Sequence, residues 1–373
     1  MISLRYPSHI IFGKGALSEL ADEVSNFGKE VLLVTGRTAM RRAGVLDKVC
    51  KLLSHEKIGV HLFDEVEHDP SLHTVRRGVE VVRRKKISVV IGLGGGSVID
   101  AAKAIAIVAP KEEDVKRYYY GEVPIEGPGI PFIAVPTTAG TGAEITNNAV
   151  LTDSEKKIKK SLRSPFMVAK VAIVDPELTL FCSPFLTAYS GMDAFTQAVE
   201  CFISRASNPV TDTLTLRAIE ILYNNLPFAV QNGEDIEIRE KVALGSLLQA
   251  MAFSNAGLGA AHGLSHPLGA HYNIPHGLAC GVLLPYVLEA NMCVCREKMD
   301  IIAEKLGAEK ADDLPHLFTE FLRTINLPLD FKKWQIKKED IPVLVRESKG
   351  GSMSKNPKDL VDEELSRILK KVI

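Results

Sequence analysis

Between residues 30 and 176 the chain alternates short, unbroken apolar runs with amphipathic stretches, and after Pro176 that alternation stops. Val31-Leu32-Leu33-Val34-Thr35 is a continuous apolar run, and residues 58–63, Ile87-Ser88-Val89-Val90-Ile91, Pro131-Phe132-Ile133-Ala134-Val135 and Ala172-Ile173-Val174 are further candidate strands. A run of this kind reads as a strand buried on both faces. Helical patterns at 71–84 and 98–108 fall between them, so the first half predicts repeated βαβ units and a parallel sheet. Residues 188–204, 209–227, 237–254 and 256–271 read as helices, with almost no β-branched runs. The expected class is α/β plus all-α, with a nucleotide-binding α/β domain over 1–178 and an all-helical domain over 179–373. A site in a cleft between them is the natural expectation.

Charge excludes some functions. The 373 residues carry 45 Lys+Arg against 46 Asp+Glu, a net charge of −1. That balance argues against nucleic acid and anionic membrane as partners. No apolar run reaches the roughly 18 residues of a membrane helix, and the N-terminus does not read as a signal peptide. The cysteines at 50, 182, 201, 280, 293 and 295 show neither zinc or redox spacing nor a disulfide framework. A cytoplasmic enzyme is the expectation.

Gly92-Leu93-Gly94-Gly95-Gly96-Ser97 follows the third run directly, and Val98-Ile99-Asp100 then opens a helix. Glycines allow close ligand approach and positive φ, and a helix N-terminus suits a pyrophosphate. The run is not GxGxxG, since Ser97 takes the last glycine's place. Ser97 reads as an N-cap or a phosphate donor. After the fourth run comes Pro136-Thr137-Thr138-Ala139-Gly140-Thr141-Gly142, whose hydroxyls either reach a ribose or phosphate or cap a turn. The first run ends Thr35-Gly36-Arg37-Thr38. Dinucleotide folds place an acidic residue near there to hold the ribose 2′-OH. Gly36 with Arg37 instead favours NADP(H) over NAD(H), because arginine can pair with a 2′-phosphate.

The ten histidines are unevenly placed: none lies between His73 and His262, then His262, His266, His271 and His276 fall within fifteen residues. His262 and His266 share a helix face at i,i+4. Gly269 and Pro275 predict a helix end soon after 268, with His276 folding back from the exit loop. Two such imidazoles make half of a divalent-metal site. Asp193, amid small and apolar residues, is a candidate carboxylate, and Gln197 lies at i+4 from it. The alternative for Asp193 is a residue near a helix N-terminus, satisfied by local N–H groups.

Together these residues resemble the iron-containing (group III) alcohol dehydrogenase family. The resemblance runs from Tyr6-Pro7 and Ile11-Phe12-Gly13 through Gly94-Gly95-Gly96-Ser97, Pro136–Gly142, Gly191-Met192-Asp193-Ala194 and His262–His276 to Asn356-Pro357. It implies hydride transfer between a nicotinamide cofactor and a primary alcohol or aldehyde, assisted by Fe2+ or Zn2+. It implies that Gly94, Gly95, Gly96, Ser97, Asp100, Thr137, Thr138 and Lys159 hold the cofactor. Lys159 sits in the cluster Lys156-Lys157-Ile158-Lys159-Lys160, which by itself reads as a solvated loop. Metal ligands fall at Asp193, Gln197, His262 and His276, with His266 as proton relay. Position 197 departs from the family's histidine, which opens a metal-free carbonyl reductase as the alternative; His271 could compensate only by turning inward. A dehydroquinate-synthase-like lyase lacks support, because the segments around 193 and 262–276 hold no Lys or Arg. A homodimer is expected, with Leu4–Phe12 as an exposed strand pairing across a two-fold.

Overall fold

The computed structural model describes residues 2–156 and 158–373, so Met1 and Lys157 of the lysine cluster lie outside the described residues. The chain forms two compact units. One comprises Arg5–Thr138 and Gly142–Phe181, the other Cys182–Ile373 with Ala139–Thr141 and the residues up to Leu4.

The first unit is built on six strands: β1 (His9–Phe12), β2 (Glu30–Gly36), β3 (Gly59–Val66), β4 (Val89–Gly94), β5 (Phe132–Pro136) and β8 (Val171–Val174). Their order is β1-β8-β5-β4-β2-β3, and every pairing is parallel. Successive side chains point to opposite faces. Leu32, Val34, Val90, Phe132 and Ala134 therefore enter one buried cluster, and Val31, Leu33, Ile91, Ile133 and Val135 enter another. Two covered faces are the reason the runs are unbroken. β3 lies on one side of β2 and β4 on the other, so the winding reverses between β2 and β4. That reversal opens a crevice beyond the strands' carboxyl ends, where both Gly36-Arg37 and Gly94–Ser97 emerge.

Two expectations change here. The lysine cluster is not a solvated loop: Ile158–Arg163 forms β7, antiparallel to β6 (Asn148–Asp153). The ammonium of Lys160 lies over the Tyr119 and Tyr120 rings at 4.8 and 4.7 Å, contacts a flexible loop would not hold. The N-terminal strand begins at His9, not Leu4, and pairs in parallel with β8 of its own sheet.

The second unit is helical, with long helices at Pro184–Ile203, Pro209–Gln231, Ile236–Ala256, Ala260–Tyr272 and His276–Lys305. Ser183, Asn208 and Asp235 cap the first three through side-chain oxygens, each worth about 1 kcal/mol. Phe195 sits at the core, 5.0 Å from Phe318 and 4.9 Å from Phe321 between ring centres. The Ala260–Tyr272 helix begins four residues later than the 256–271 reading and ends one residue beyond it. It stops where Asn273 adopts φ 54° and donates its N–H to Gly269 O at 3.0 Å. His276 lies not in an exit loop but at the first position of the next helix. That helix is long and apolar enough to cross a membrane by length and composition, although its apolar residues are interrupted by polar ones. Residues 277–285 of it are buried in the helical unit's core.

Candidate functional site

Asp193 projects from the middle of the Pro184–Ile203 helix and is buried, so it is not a residue satisfied at a helix N-terminus. His262 lies in the first turn of its helix, and His276 and Cys280 lie one turn apart on the next. These four bring one ligand atom each to within 4.8 Å of one another. His262 Nε2 is 3.2 Å from Asp193 Oδ1, and His276 Nε2 is 3.7 Å from the same oxygen. Cys280 Sγ is 3.8 Å from His276 Nε2. Metal–ligand bonds of about 2.0–2.3 Å in a tetrahedron separate neighbouring donors by about 3.3–3.8 Å. The spacing fits a divalent cation with little movement.

The surrounding groups fix which nitrogens face the centre. Glu200, one turn beyond Gln197 and fully buried, receives His262 Nδ1–H at 2.6 Å. It also accepts from the backbone N–H groups of Gly259 at 3.0 Å and Ala261 at 2.6 Å. A carboxylate at that helix N-terminus is favoured by the free amides, and its bond to Nδ1 leaves Nε2 to the centre. A Cβ on Gly259 would fall 2.8 Å from Glu200 Oε1 and 3.0 Å from Asn356 Oδ1, so glycine is needed for this approach. Ser265 gives its hydroxyl proton to His262 O at 2.9 Å and receives His276 Nδ1–H at 3.2 Å. Both imidazoles are thereby aimed Nε2-first.

The electrostatics agree with a cation site. Burial would raise the Asp193 carboxyl, but the His276 and His262 imidazoles pull it below its ordinary value. Burial would also raise the Cys280 thiol, and the same two rings bring it down to about 7. Burial disfavours a charged His262, yet the Cys280 thiolate, Asp193 and Glu200 hold its pKa well above the usual range. Two anionic donors thus face two imidazoles that retain protons to balance them. A divalent cation can take the place of those protons. Gln197 adds one further observation: its Oε1 is buried and has no hydrogen-bond partner. An orphaned acceptor of this kind costs about 1–3 kcal/mol unless a ligand meets it.

His266 is exposed, its ring stacked on His276 with centres 5.4 Å apart and planes 25° apart. His271 does not turn inward. It binds Glu347 at 2.7 Å on the surface, so it does not replace the missing imidazole at 197. Cys280 escaped the sequence reading, because the His276-x3-Cys280 spacing carries meaning only once His276 is known to start a helix.

In the α/β unit the helix after β4 begins at Gly96, two residues earlier than expected. None of Gly92 to Gly96 has positive φ. Close approach explains Gly94 instead, where a Cβ would lie 2.7 Å from Val98 Cβ; one on Gly95 would sit in ordinary contact, 3.4 Å from Thr138 Oγ1. Thr137 is buried and donates its N–H to Gly94 O at 3.0 Å. Ser97 Oγ accepts the Asp69 N–H at 3.4 Å, and Asp69 Oδ1 pairs with Lys159 Nζ at 2.6 Å. The loops after β3, β4 and β5 and Lys159 of β7 are therefore linked at one edge of the sheet. Asp100 is tied to β6 instead, accepting Val150 N–H at 3.0 Å, and burial raises its carboxyl to about 6. Lys103, also unforeseen, donates to the carbonyls of Ala143, Thr146 and Asn148 at 2.7, 2.9 and 2.8 Å. It anchors the second loop from below. Gly36 ends β2 with room beside it, a Cβ there lying 3.7 Å from Val66 O and 3.9 Å from Val98 Cγ2. Arg37 and Thr38 are exposed.

Comparison with known proteins agrees with both units. Residues 7–176 match the family model described as iron-containing alcohol dehydrogenase, and residues 187–373 match its C-terminal counterpart. The chain is 36% identical to 1,3-propanediol dehydrogenase of Klebsiella pneumoniae over 99% of its length and 98% of that protein's. It is 31% identical to the NAD-dependent methanol dehydrogenase of Bacillus methanolicus over the whole of both chains. A crystal structure of 1,3-propanediol oxidoreductase superposes with TM-score 0.95 at 35% identity, covering 100% of both. The chain belongs to the iron-containing alcohol dehydrogenase family and is an oxidoreductase.

Proposed function

We propose that this protein interconverts short primary alcohols and aldehydes with a nicotinamide cofactor, at a divalent metal held by the Asp193–His262–His276 constellation. The observation that carries this reading is the convergence of Asp193 Oδ1, His262 Nε2 and His276 Nε2 beside an exposed, stacked imidazole. The substrates named for the relatives, methanol and 1,3-propanediol, support the short-chain class. When bound, the metal supplies Lewis acidity to the substrate oxygen and the cofactor supplies or accepts the hydride. Asp193 balances the cation's charge, and Glu200 and Ser265 hold the two imidazoles in the ligating tautomer. Gln197 offers a neutral amide oxygen as a further, weaker ligand. His266, exposed to water and stacked on His276, carries the alcohol proton to solvent.

On the α/β unit, Gly94, Gly95, Gly96 and Ser97 present amides to the pyrophosphate, with Thr137, Thr138, Lys159 and the start of the Asp100 helix completing the cradle. Our reading favours NADP(H), with Gly36, Arg37 and Thr38 receiving the 2′-phosphate. Glu65 and Glu67 flank Val66, the β3 partner of Gly36, but both carboxylates are engaged, Glu65 with Arg77 and Glu67 with Ser71 and Thr74. Arg37 has no ion-pair partner among the described residues. All six cysteines are in the thiol form, which supports a reducing, cytoplasmic setting, and the open edge of β1 supports a homodimer.

The test is aldehyde reduction, with butanal and NADPH or NADH, before and after EDTA treatment and re-addition of Fe2+ or Zn2+. Loss of activity with metal-specific recovery, and a higher rate with NADPH, is the expected result. His262→Ala abolishes turnover and leaves NADPH binding intact. Activity that ignores EDTA in protein holding no metal by elemental analysis refutes the metal-assisted reading.

A further inference from the structure

We propose that Cys280 is a thiolate ligand of the metal, giving the donor set Asp193–His262–His276–Cys280 and directing the site toward zinc over iron; this rests on the metal-site reading above. Position 197 supplies only a neutral amide where an imidazole would be a stronger donor. Cys280 supplies a donor from a different helix. It lies one helical turn from His276, so the two form a chelating pair on a single helix face. Its Sγ is 3.8 Å from His276 Nε2, and it falls in the same 4.8 Å group as His262 and Asp193. The spacing suits a metal–sulfur bond of about 2.3 Å beside metal–nitrogen bonds of about 2.0–2.1 Å. Among the six cysteines it is one of two that are fully buried. The other, Cys201, packs in an apolar cluster with Ala252 and Ala256. Cys280 instead has its sulfur among imidazoles and a carboxylate.

Charge and softness point the same way. Asp193 and a Cys280 thiolate together carry two negative charges, which neutralise a divalent cation inside a buried site. Thiolate with imidazole favours zinc, whereas an oxygen-rich set favours harder ions. A zinc ion held by these side chains would still be able to accept a substrate oxygen, since zinc expands its coordination readily.

The decisive measurement is X-ray absorption at the zinc edge on the purified, zinc-loaded enzyme, with metal content measured on the same sample. One zinc per chain with a sulfur scatterer at about 2.3 Å is the expected result. One zinc per chain with nitrogen and oxygen scatterers only overturns the Cys280 assignment and leaves the metal site standing. No bound metal overturns both. Cobalt-loaded enzyme gives an independent reading: a near-ultraviolet thiolate-to-cobalt band is present in the parent and absent in Cys280→Ser. In a chelator competition Cys280→Ser binds zinc at least about 100-fold more weakly, while its iron affinity changes far less. Equal losses for both metals overturn the predicted zinc bias. A Cys280→Ser protein that fails to fold is answered by the absorption spectrum of the parent alone.

Discussion

Adding one methyl group at Gly277 is expected to damage both the fold and the site. Gly277 is the second residue of the His276–Lys305 helix, and an ideal Cβ there would lie 1.9 Å from Tyr189 O, 2.8 Å from Tyr189 C and 3.0 Å from Asp193 Cβ. Contact between heavy atoms settles at about 3.5 Å, so the helix end must retreat by more than about 1 Å from the backbone that carries Asp193. Alanine is a better helix former than glycine by about 1 kcal/mol, which offsets part of the cost. Overpacking costs about 1–3 kcal/mol and sometimes more, and a backbone oxygen cannot rotate away. Gly277→Ala is therefore expected to lose about 2 kcal/mol net. Gly191→Ala is the matched control: its Cβ would meet Leu226 Cδ1 at 2.2 Å, the far end of a flexible side chain that can turn aside, so its loss is smaller. His276 adjoins Gly277, and a misplacement of about 1 Å at a functional group costs about 100-fold. Denaturant melts of the metal-free proteins and chelator-competition titrations measure the two effects. A Gly277→Ala protein as stable as the parent with unchanged metal affinity refutes the packing argument, as does a larger loss in Gly191→Ala.

Three more outcomes follow from the same geometry. Glu200→Gln keeps the side chain's shape but weakens the grip on His262 Nδ1, and metal affinity measured by competition falls about 10–100-fold. Burial lifts the Glu144 carboxyl to about 7, against about 4.3 in the unfolded chain. The folded state therefore holds the proton longer, and this group's contribution is present below pH 4.3 and lost as pH rises through 7, up to about 3 kcal/mol in all. Glu144→Gln flattens that decline, so melts at pH 5 and 8 converge relative to the parent; an unchanged slope counts against a buried charge. Gly36→Asp has room for its Cβ and places a carboxylate beside the proposed 2′-phosphate position. The ratio of kcat/KM for NADPH to that for NADH falls at least about tenfold, which is about 1.4 kcal/mol, and a constant ratio sinks the assignment of Gly36 and Arg37.

Most of the sheet was legible because burial on two faces writes itself as apolar runs, and each of the five segments overlaps a strand of the parallel sheet. The edge elements were harder. β7 carries Lys159 and Lys160 on an exposed hairpin, and its period-2 pattern is masked by charge. Within the site, Asp193, His262 and His276 could be singled out because their residue types are unusual for apolar surroundings. Their supports could not. Glu200 reads as one more acidic residue on a helix, and only the fold delivers the N-terminus of another helix to it. Gly259 and Gly277 look like loop and helix-start punctuation, yet each is required by close neighbours far away in the sequence. Gln197 shows why such supports decide the chemistry. Read alone, the loss of an imidazole there argued for a site without metal. With Cys280 as the proposed ligand, a neutral donor on one helix is joined by a sulfur on another, and the constellation would keep its count of strong donors while gaining one negative charge.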